Sequence, residues 1–161
     1  RKGYFQALDA FEELWARNLE VNFAIVGKHR YQMENFVKRL NDHPEKGNRL
    51  FWFDAISDEY LEKIYSVATV VMMAAENEGF GLPVVEAARK GKPLILRDID
   101  VFREIAGEHA FYFSGLRPTD VADAIQTWFK LRESEQVPLP QGMKLLTWKE
   151  STEMLLNCLS Q

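Results

Sequence analysis

The segment Glu76-Asn77-Glu78-Gly79-Phe80-Gly81-Leu82-Pro83, followed by Val84, Val85 and Glu86, gathers the residue types from which a ligand site can be built. Glycines on both sides of Phe80 permit a tight turn and a close approach of backbone to ligand. Pro83 suits the first position of a helix, so the amides from Gly81 to Val84 are expected to point outward at the positive end of the helix dipole. Such a terminus accepts a phosphate group. Glu78 and Glu86 frame this loop with seven residues between them. A carboxylate repels phosphate but accepts hydrogen bonds from sugar hydroxyls. Phosphate at the amides and hydroxyls at the carboxylates together describe a nucleotide sugar. The alternative reading makes Glu78 a loop charge and Glu86 a helix residue favoured by the dipole.

Other residues with the right chemistry stand where a strand gives way to a helix. Lys2-Gly3 precedes a helical pattern, and a lysine there supplies a point charge to a diphosphate. Gly27-Lys28-His29-Arg30 follows a strand, with Lys28 and Arg30 either facing phosphates or forming a solvated basic loop. Phe53-Asp54-Ala55-Ile56 ends another strand and could hold a base through its backbone groups. Asp98 and Asp100 follow a third, where Asp100 reads as a helix cap. His29, His43 and His109 share no ligand spacing, so no metal site is expected. No serine–histidine or cysteine–histidine arrangement and no catalytic base can be argued, and the Trp and Phe residues read as packing.

The elements that must position these groups alternate along the chain. Tyr4, Leu8, Phe11, Leu14 and Trp15 recur at helical spacing over 4–17. A strand is expected over Val21–Val26, a helix carrying Met33, Phe36, Val37 and Leu40, and a short strand over Arg49–Phe53. Ser57 caps a helix through Leu61, Ile64 and Tyr65. Thr69–Ala74 is the clearest buried strand, and the helix opened by Pro83 runs to about Lys90, where Gly91 stops it. Strands over Pro93–Leu96 and His109–Phe113 bracket a short helix begun at Asp100. Pro118 and Thr119 open a helix carrying Val121, Ala122, Ile125, Trp128 and Phe129. Thr147 and Glu150 have capping-box spacing for a terminal helix.

This alternation predicts an α/β, Rossmann-like doubly wound parallel sheet with helices on both faces. Such sheets bind ligands beyond the carboxyl ends of their strands. The first recognisable element is a helix, whereas these folds open on a mid-sheet strand, so a central strand position is expected to stand empty. A complete sheet built from these residues alone would contradict that topology. The start at Arg1 reads as a piece of something longer, and residues 1–161 as one domain of it.

Composition fits the reading. The 161 residues are 47% hydrophobic and 12% aromatic, too apolar for disorder. No run approaches the roughly 20 apolar residues of a membrane span. Cys158 is the only cysteine, which excludes an internal disulfide and suits a reducing, cytoplasmic compartment. A net charge of −4 argues against general nucleic-acid binding.

Taken together the residues resemble glycosyltransferase family four, retaining nucleotide-sugar transferases of two-domain GT-B fold, and specifically the C-terminal, donor-binding domain. The resemblance is carried by Arg1-Lys2-Gly3, Phe11-Glu12-Glu13-Leu14, Phe23-Ala24-Ile25-Val26-Gly27, Leu61–Ala68, Glu78–Ala87, Gly91-Lys92-Pro93 and Thr147-Trp148. It implies that Glu78 holds hydroxyls of the transferred sugar and Glu86 the ribose. Gly79, Phe80, Gly81 and Leu82 would contact sugar and diphosphate, and Lys2 would neutralise the departing diphosphate. Gly27, Lys28 and Phe53 complete the implied donor site. The family's second basic residue lies on an upstream loop and has no match here, and Lys28-His29 stands where many members have a further glycine. Arg97-Asp98-Ile99-Asp100-Val101-Phe102-Arg103-Glu104 looks most like bacterial polysaccharide mannosyltransferases. That implies GDP-mannose as donor, with UDP-sugars the neighbouring possibility, no metal or other cofactor, and a saccharide or lipid-linked acceptor. The acceptor would be held by an N-terminal domain, absent here, through which the enzyme could sit on the inner membrane face. The fragment alone is then expected to bind but not to transfer. Two other readings stand beside this one. A non-catalytic nucleotide-sugar-binding module is opposed by the intact Glu78 and Glu86. A dehydrogenase domain is opposed by the lack of a G-x-G-x-x-G fingerprint after a first strand.

Overall fold

The computed structural model describes residues 2–28 and 33–159. Five strands, β1 (Phe23–Val26), β2 (Leu50–Phe53), β3 (Val71–Met73), β4 (Leu94–Arg97) and β5 (Phe111–Phe113), alternate with seven α-helices. These are α1 (Tyr4–Ala16), α2 (Glu34–Asn41), α3 (Asp58–Val67), α4 (Leu82–Arg89), α5 (Asp100–Ala106), α6 (Pro118–Glu133) and α7 (Trp148–Leu159).

All strand pairs are parallel. β1 pairs with β2 from Phe23 opposite Leu50 to Val26 opposite Phe53. β4 lies between β3 and β5, with Ile95 opposite both Met72 and Phe111. The strands thus form two sheets, β1-β2 and β3-β4-β5, with no ladder between β1 and β3 among the described residues. That break is the open strand position expected of a chain whose first element is a helix. Its effect shows in burial: all four residues of β4 are buried, whereas Val71, Met72 and Met73 of β3 are only partly covered.

Strand alternation sends successive side chains into two cores. Ile95 and Phe113 join Ile25 and Leu50 of the other sheet beneath α1, α2 and α6, together with Leu8, Leu14, Phe36, Val121, Ile125 and Trp128. Leu94 and Leu96 point the opposite way, to Tyr65, Val84, Ala87, Phe102 and Ala106. The first core therefore bridges the two sheets. α1 supplies it because Ala7, Leu8, Ala10, Phe11, Leu14 and Trp15 form one continuous apolar stripe. Burying each large side chain contributes about 1.5–3 kcal/mol.

The elements appear in the expected order, but β1 starts at Phe23 rather than Val21, and β5 at Phe111, because His109 ends a 3-10 turn. Three further shifts concern α4, α5 and β3. α4 starts at Leu82, so Pro83 is its second residue rather than its first. Asp100 is the first residue of α5 and Ile99 precedes it, with no side-chain cap, so Asp100 is not the cap. β3 is shorter than Thr69–Ala74 because only one side of it finds a partner. Ser57 Oγ accepts the Tyr60 amide, as its placement before α3 requires. The Thr147–Glu150 box is likewise formed, by reciprocal bonds of 2.6 and 3.2 Å.

Candidate functional site

The carboxyl ends of the strands lie along one edge, and two helices start there from glycine. Gly3 before α1 and Gly81 before α4 both have left-handed backbone, at φ 74° and 80°, and neither helix has a side-chain cap. α2 and α5 likewise lack a side-chain cap, whereas Ser57 caps α3 and Asp120 accepts the Arg117 amide at the start of α6, at 2.9 Å. A helix without a side-chain cap keeps its first amides for water or a ligand. Gly3 has no alternative: a Cβ there would lie 2.1 Å from the carbonyl oxygen of Ala74. Gly81 packs against Ile105 and Phe102, 3.2 Å from where its Cβ would be.

Between these helix starts lies a charge pair. Lys2 Nζ donates to Glu78 Oε2 at 2.6 Å, and Glu78 Oε1 accepts the Gly79 amide at 3.1 Å. Glu78 is 15% exposed and Lys2 48%, so the carboxylate is recessed and the ammonium reaches over it from solvent. Phe80 is 60% exposed at the turn of the glycine loop, and Leu82 is exposed beside it. The amides of this loop are fewer than the sequence suggests. Val84 N–H already donates to Gly81 O at 2.9 Å and Pro83 has no N–H, which leaves Gly81 and Leu82 as the loop's donors.

The other expected donor residues continue along the edge. The Gly27 amide donates to Phe53 O at 3.1 Å, so the ends of β1 and β2 are adjacent. Gly27 also approaches the hydroxyl of Tyr4, two residues after Lys2 in the chain. Lys28 is exposed on the same loop. Phe53 lines a cavity of about 400 Å³ with Trp52, Asp54, Ile56, Ser57 and Tyr60. The Phe53 and Tyr60 rings lie 5.7 Å apart, an aromatic wall suited to a flat heterocycle. Glu86 stands on α4, where its Oε2 accepts the Tyr65 hydroxyl of α3 at 3.3 Å. Burial first, and the Glu86 carboxylate next, push the Tyr65 phenol up to about 12, so it remains a donor that orients Glu86.

Lys2 and Glu78 are thus brought into contact, as are Gly27 and Phe53, while Glu86 is held by a separate partner. Arg1, His29 and Arg30 lie outside the described residues. Asp98 is a salt-bridge partner of Arg103, at 2.7 and 2.9 Å, which makes it structural. His43 and His109 bond to Glu12 and to Leu139 O, and no group of three or more His, Cys, Asp or Glu among the described residues is placed to hold a metal ion. Among the described residues no helix is long and apolar enough to cross a membrane. The Tyr65–Glu86 bond and the buried contacts of Arg97 escaped the sequence reading. For Arg97 a signal existed, since it is a charge ending the apolar run Leu94-Ile95-Leu96.

The family model for glycosyl transferases group 1 matches residues 1–142. The serotype-specific mannosyltransferase WbdA of Escherichia coli is 46% identical over 156 residues, covering 97% of this chain and 19% of that protein. The O-antigen chain mannosyltransferase RfbU of Salmonella typhimurium is 32% identical over 101 residues, 63% of this chain and 28% of its own length. The chain therefore spans about a fifth of the length of WbdA. Among solved structures, Anabaena HepE in complex with UDP and glucose superposes with a TM-score of 0.78 at 19% identity, over 99% of this chain and 45% of that one. The C-terminal domain of the group 1 family protein LpcC from Francisella tularensis gives a TM-score of 0.72 at 18% identity, over 87% of this chain and 74% of that one. These structural likenesses establish the fold, the expected Rossmann-like domain of a GT-B protein.

Proposed function

The chain belongs to the glycosyl transferases group 1 family, and on that premise we propose that it is the donor-binding half of a retaining glycosyltransferase. The observation that carries this reading is the Lys2–Glu78 pair set between two glycine-started, uncapped helices. The favoured reaction moves mannose from GDP-mannose to a saccharide or lipid-linked acceptor held by the rest of the protein. Support for mannose comes from the mannosyltransferase relatives WbdA and RfbU; the HepE complex, with UDP and glucose, supports a nucleotide-sugar donor more generally.

Donor binding divides the charge pair. A diphosphate takes the Lys2 ammonium and the amides of Gly81 and Leu82, and Glu78 accepts sugar hydroxyls in place of Lys2. Gly79 and Phe80 cover the sugar, Glu86 accepts the ribose hydroxyls, and the base enters the cavity at Phe53 beside Gly27 and Lys28. The bond from the anomeric carbon to the diphosphate breaks as the bond to the acceptor oxygen forms, and the acceptor's proton leaves with the released nucleotide. Negative charge develops on the departing phosphate oxygen, where Lys2 and the α4 terminus stabilise it. No residue in this arrangement needs a metal to do so.

Calorimetric titration of the folded chain with GDP, UDP, GDP-mannose and UDP-glucose tests the reading, with Glu86→Ala as control. Tight binding of one nucleotide and its sugar, weakened in the variant, is the expected result and names the base. Binding of none of the four overturns the donor reading.

A further inference from the structure

Arg97 is the one buried charged residue among those described, at 4% exposure, and it stands at the carboxyl end of β4 below the donor edge. Nε donates to Ala74 O at 3.1 Å, and the two terminal nitrogens donate to Gly115 O and to Gln6 Oε1. The guanidinium also lies over the Phe113 ring, 4.9 Å from its centroid. Among the described residues no carboxylate forms an ion pair with it. Burying a cation without a counter-charge is costly, and burial does act to lower its pKa against the more distant pull of Glu76 and Asp120. An apolar side chain would fill the same space between Phe113 and α1 at less cost, so packing alone does not account for an arginine.

The three acceptors lie on three segments of the donor edge. Ala74 directly follows β3 and leads to Glu78. Gln6 sits in the first turn of α1, four residues after Lys2, and its amide also donates to Arg117 O at 3.0 Å. Gly115 lies in the turn before α6. Ala74 O is moreover the atom against which Gly3 rests. One planar cation therefore sets the distance between the turn carrying Lys2 and the strand end leading to Glu78, a role suited to arginine's fixed fork of donors.

We propose that Arg97 is a positioning residue for diphosphate binding, acting through Lys2 by clamping the start of α1 to the end of β3. This inference rests on the nucleotide-sugar reading above. The test is a double-mutant cycle with Arg97→Met, Lys2→Ala and both together. Calorimetry follows GDP or UDP, whichever the wild-type chain binds, and a chemical-shift titration follows the parent nucleoside, guanosine or uridine. Arg97→Met is expected to weaken the diphosphate roughly tenfold or more, as displaced catalytic groups do, while nucleoside affinity stays within about twofold. In the Lys2→Ala background the same change should have little further effect. Arg97→Lys, which keeps the charge but cannot reach three acceptors, should fall between wild type and Met and covers the case in which Met does not fold. Equal losses for diphosphate and nucleoside, or losses that multiply in the double variant, overturn the inference in favour of a purely structural arginine. A wild-type chain that binds no nucleotide overturns the donor reading itself, and this inference with it.

Discussion

The two edges of the parallel sheets use charge in opposite ways. At the amino edge, where α1 and α2 end and β2 begins, the charged side chains satisfy one another. Arg39 pairs with Asp9 and Glu12, at 2.5 and 2.7 Å, and Arg49 pairs with Glu45 at 2.6 Å. His43 accepts the Glu45 amide on Nδ1, which places its proton on Nε2, 2.9 Å from Glu12. At the carboxyl edge the polar groups are held ready instead. Four helices begin there without side-chain caps, two of them from glycine, an ammonium leans over a recessed carboxylate, and Phe80 is left in solvent. A closed network stabilises and does no chemistry; an edge with open helix starts and an exchangeable charge pair is one that a ligand can enter.

That contrast can be broken from either side. The largest effect is expected at Lys2→Ala, which should lower transfer by the whole protein roughly 100- to 1,000-fold. Lys2 is exposed and Glu78 keeps the Gly79 amide, so the melting temperature should stay near that of wild type. A comparable loss of folding would make Lys2 structural. Gly3→Ala comes next, because its Cβ would overlap Ala74 O on a left-handed backbone. It should cost several kcal/mol, given about 1–2 kcal/mol for the backbone alone, and should weaken nucleotide binding in parallel. Gly81→Ala should cost about 1–2 kcal/mol, since its apolar neighbours have only tenths of an ångström to yield. On the amino edge, Glu12→Gln should destabilise by roughly 1 kcal/mol or less and leave nucleotide affinity unchanged. A change in affinity there would erase the distinction between the edges.

The smallest effect is a pH dependence. The Arg49 hydrogen bond holds the Glu45 carboxyl down to about 2, against 4.5 for the free group. A folded-state value below the unfolded one stabilises above the unfolded value. Its contribution is therefore full above about pH 4.5 and is lost as pH falls toward about 2. Glu45→Gln should flatten that part of an acid unfolding curve and leave neutral stability lower.

Much of this was legible in the sequence because its causes are local. The stripe of Leu8, Phe11, Leu14 and Trp15, the Ser57 cap and the Thr147–Glu150 box depend on residues a few positions apart, and all formed. The turn at Gly81 and the helix start beside Pro83 were legible because glycine and proline state their backbone roles by type. What escaped was tertiary. The Tyr65–Glu86 bond spans 21 positions and the Arg97–Gln6 bond 91, so no periodicity encodes them. The fate of the Val84 amide depended on where α4 begins, and a one-residue shift of Pro83 decided it.

The break between β1 and β3 gives these residues, taken by themselves, a seam. On one side backbone ladders join β1 to β2, on the other β3 to β5, and across it the halves are joined by side chains under α1. Side-chain packing yields to thermal opening more readily than a ladder, so the halves should breathe as two cooperative blocks with α1 as their clasp. Lys2 belongs to the clasp and Glu78 to the β3 side, so a donor gripping both becomes a stitch across the seam. Amide exchange in β1 and β3 should then slow together when nucleotide binds, and the small molecule would serve the fold as a fastener as well as the reaction as a substrate.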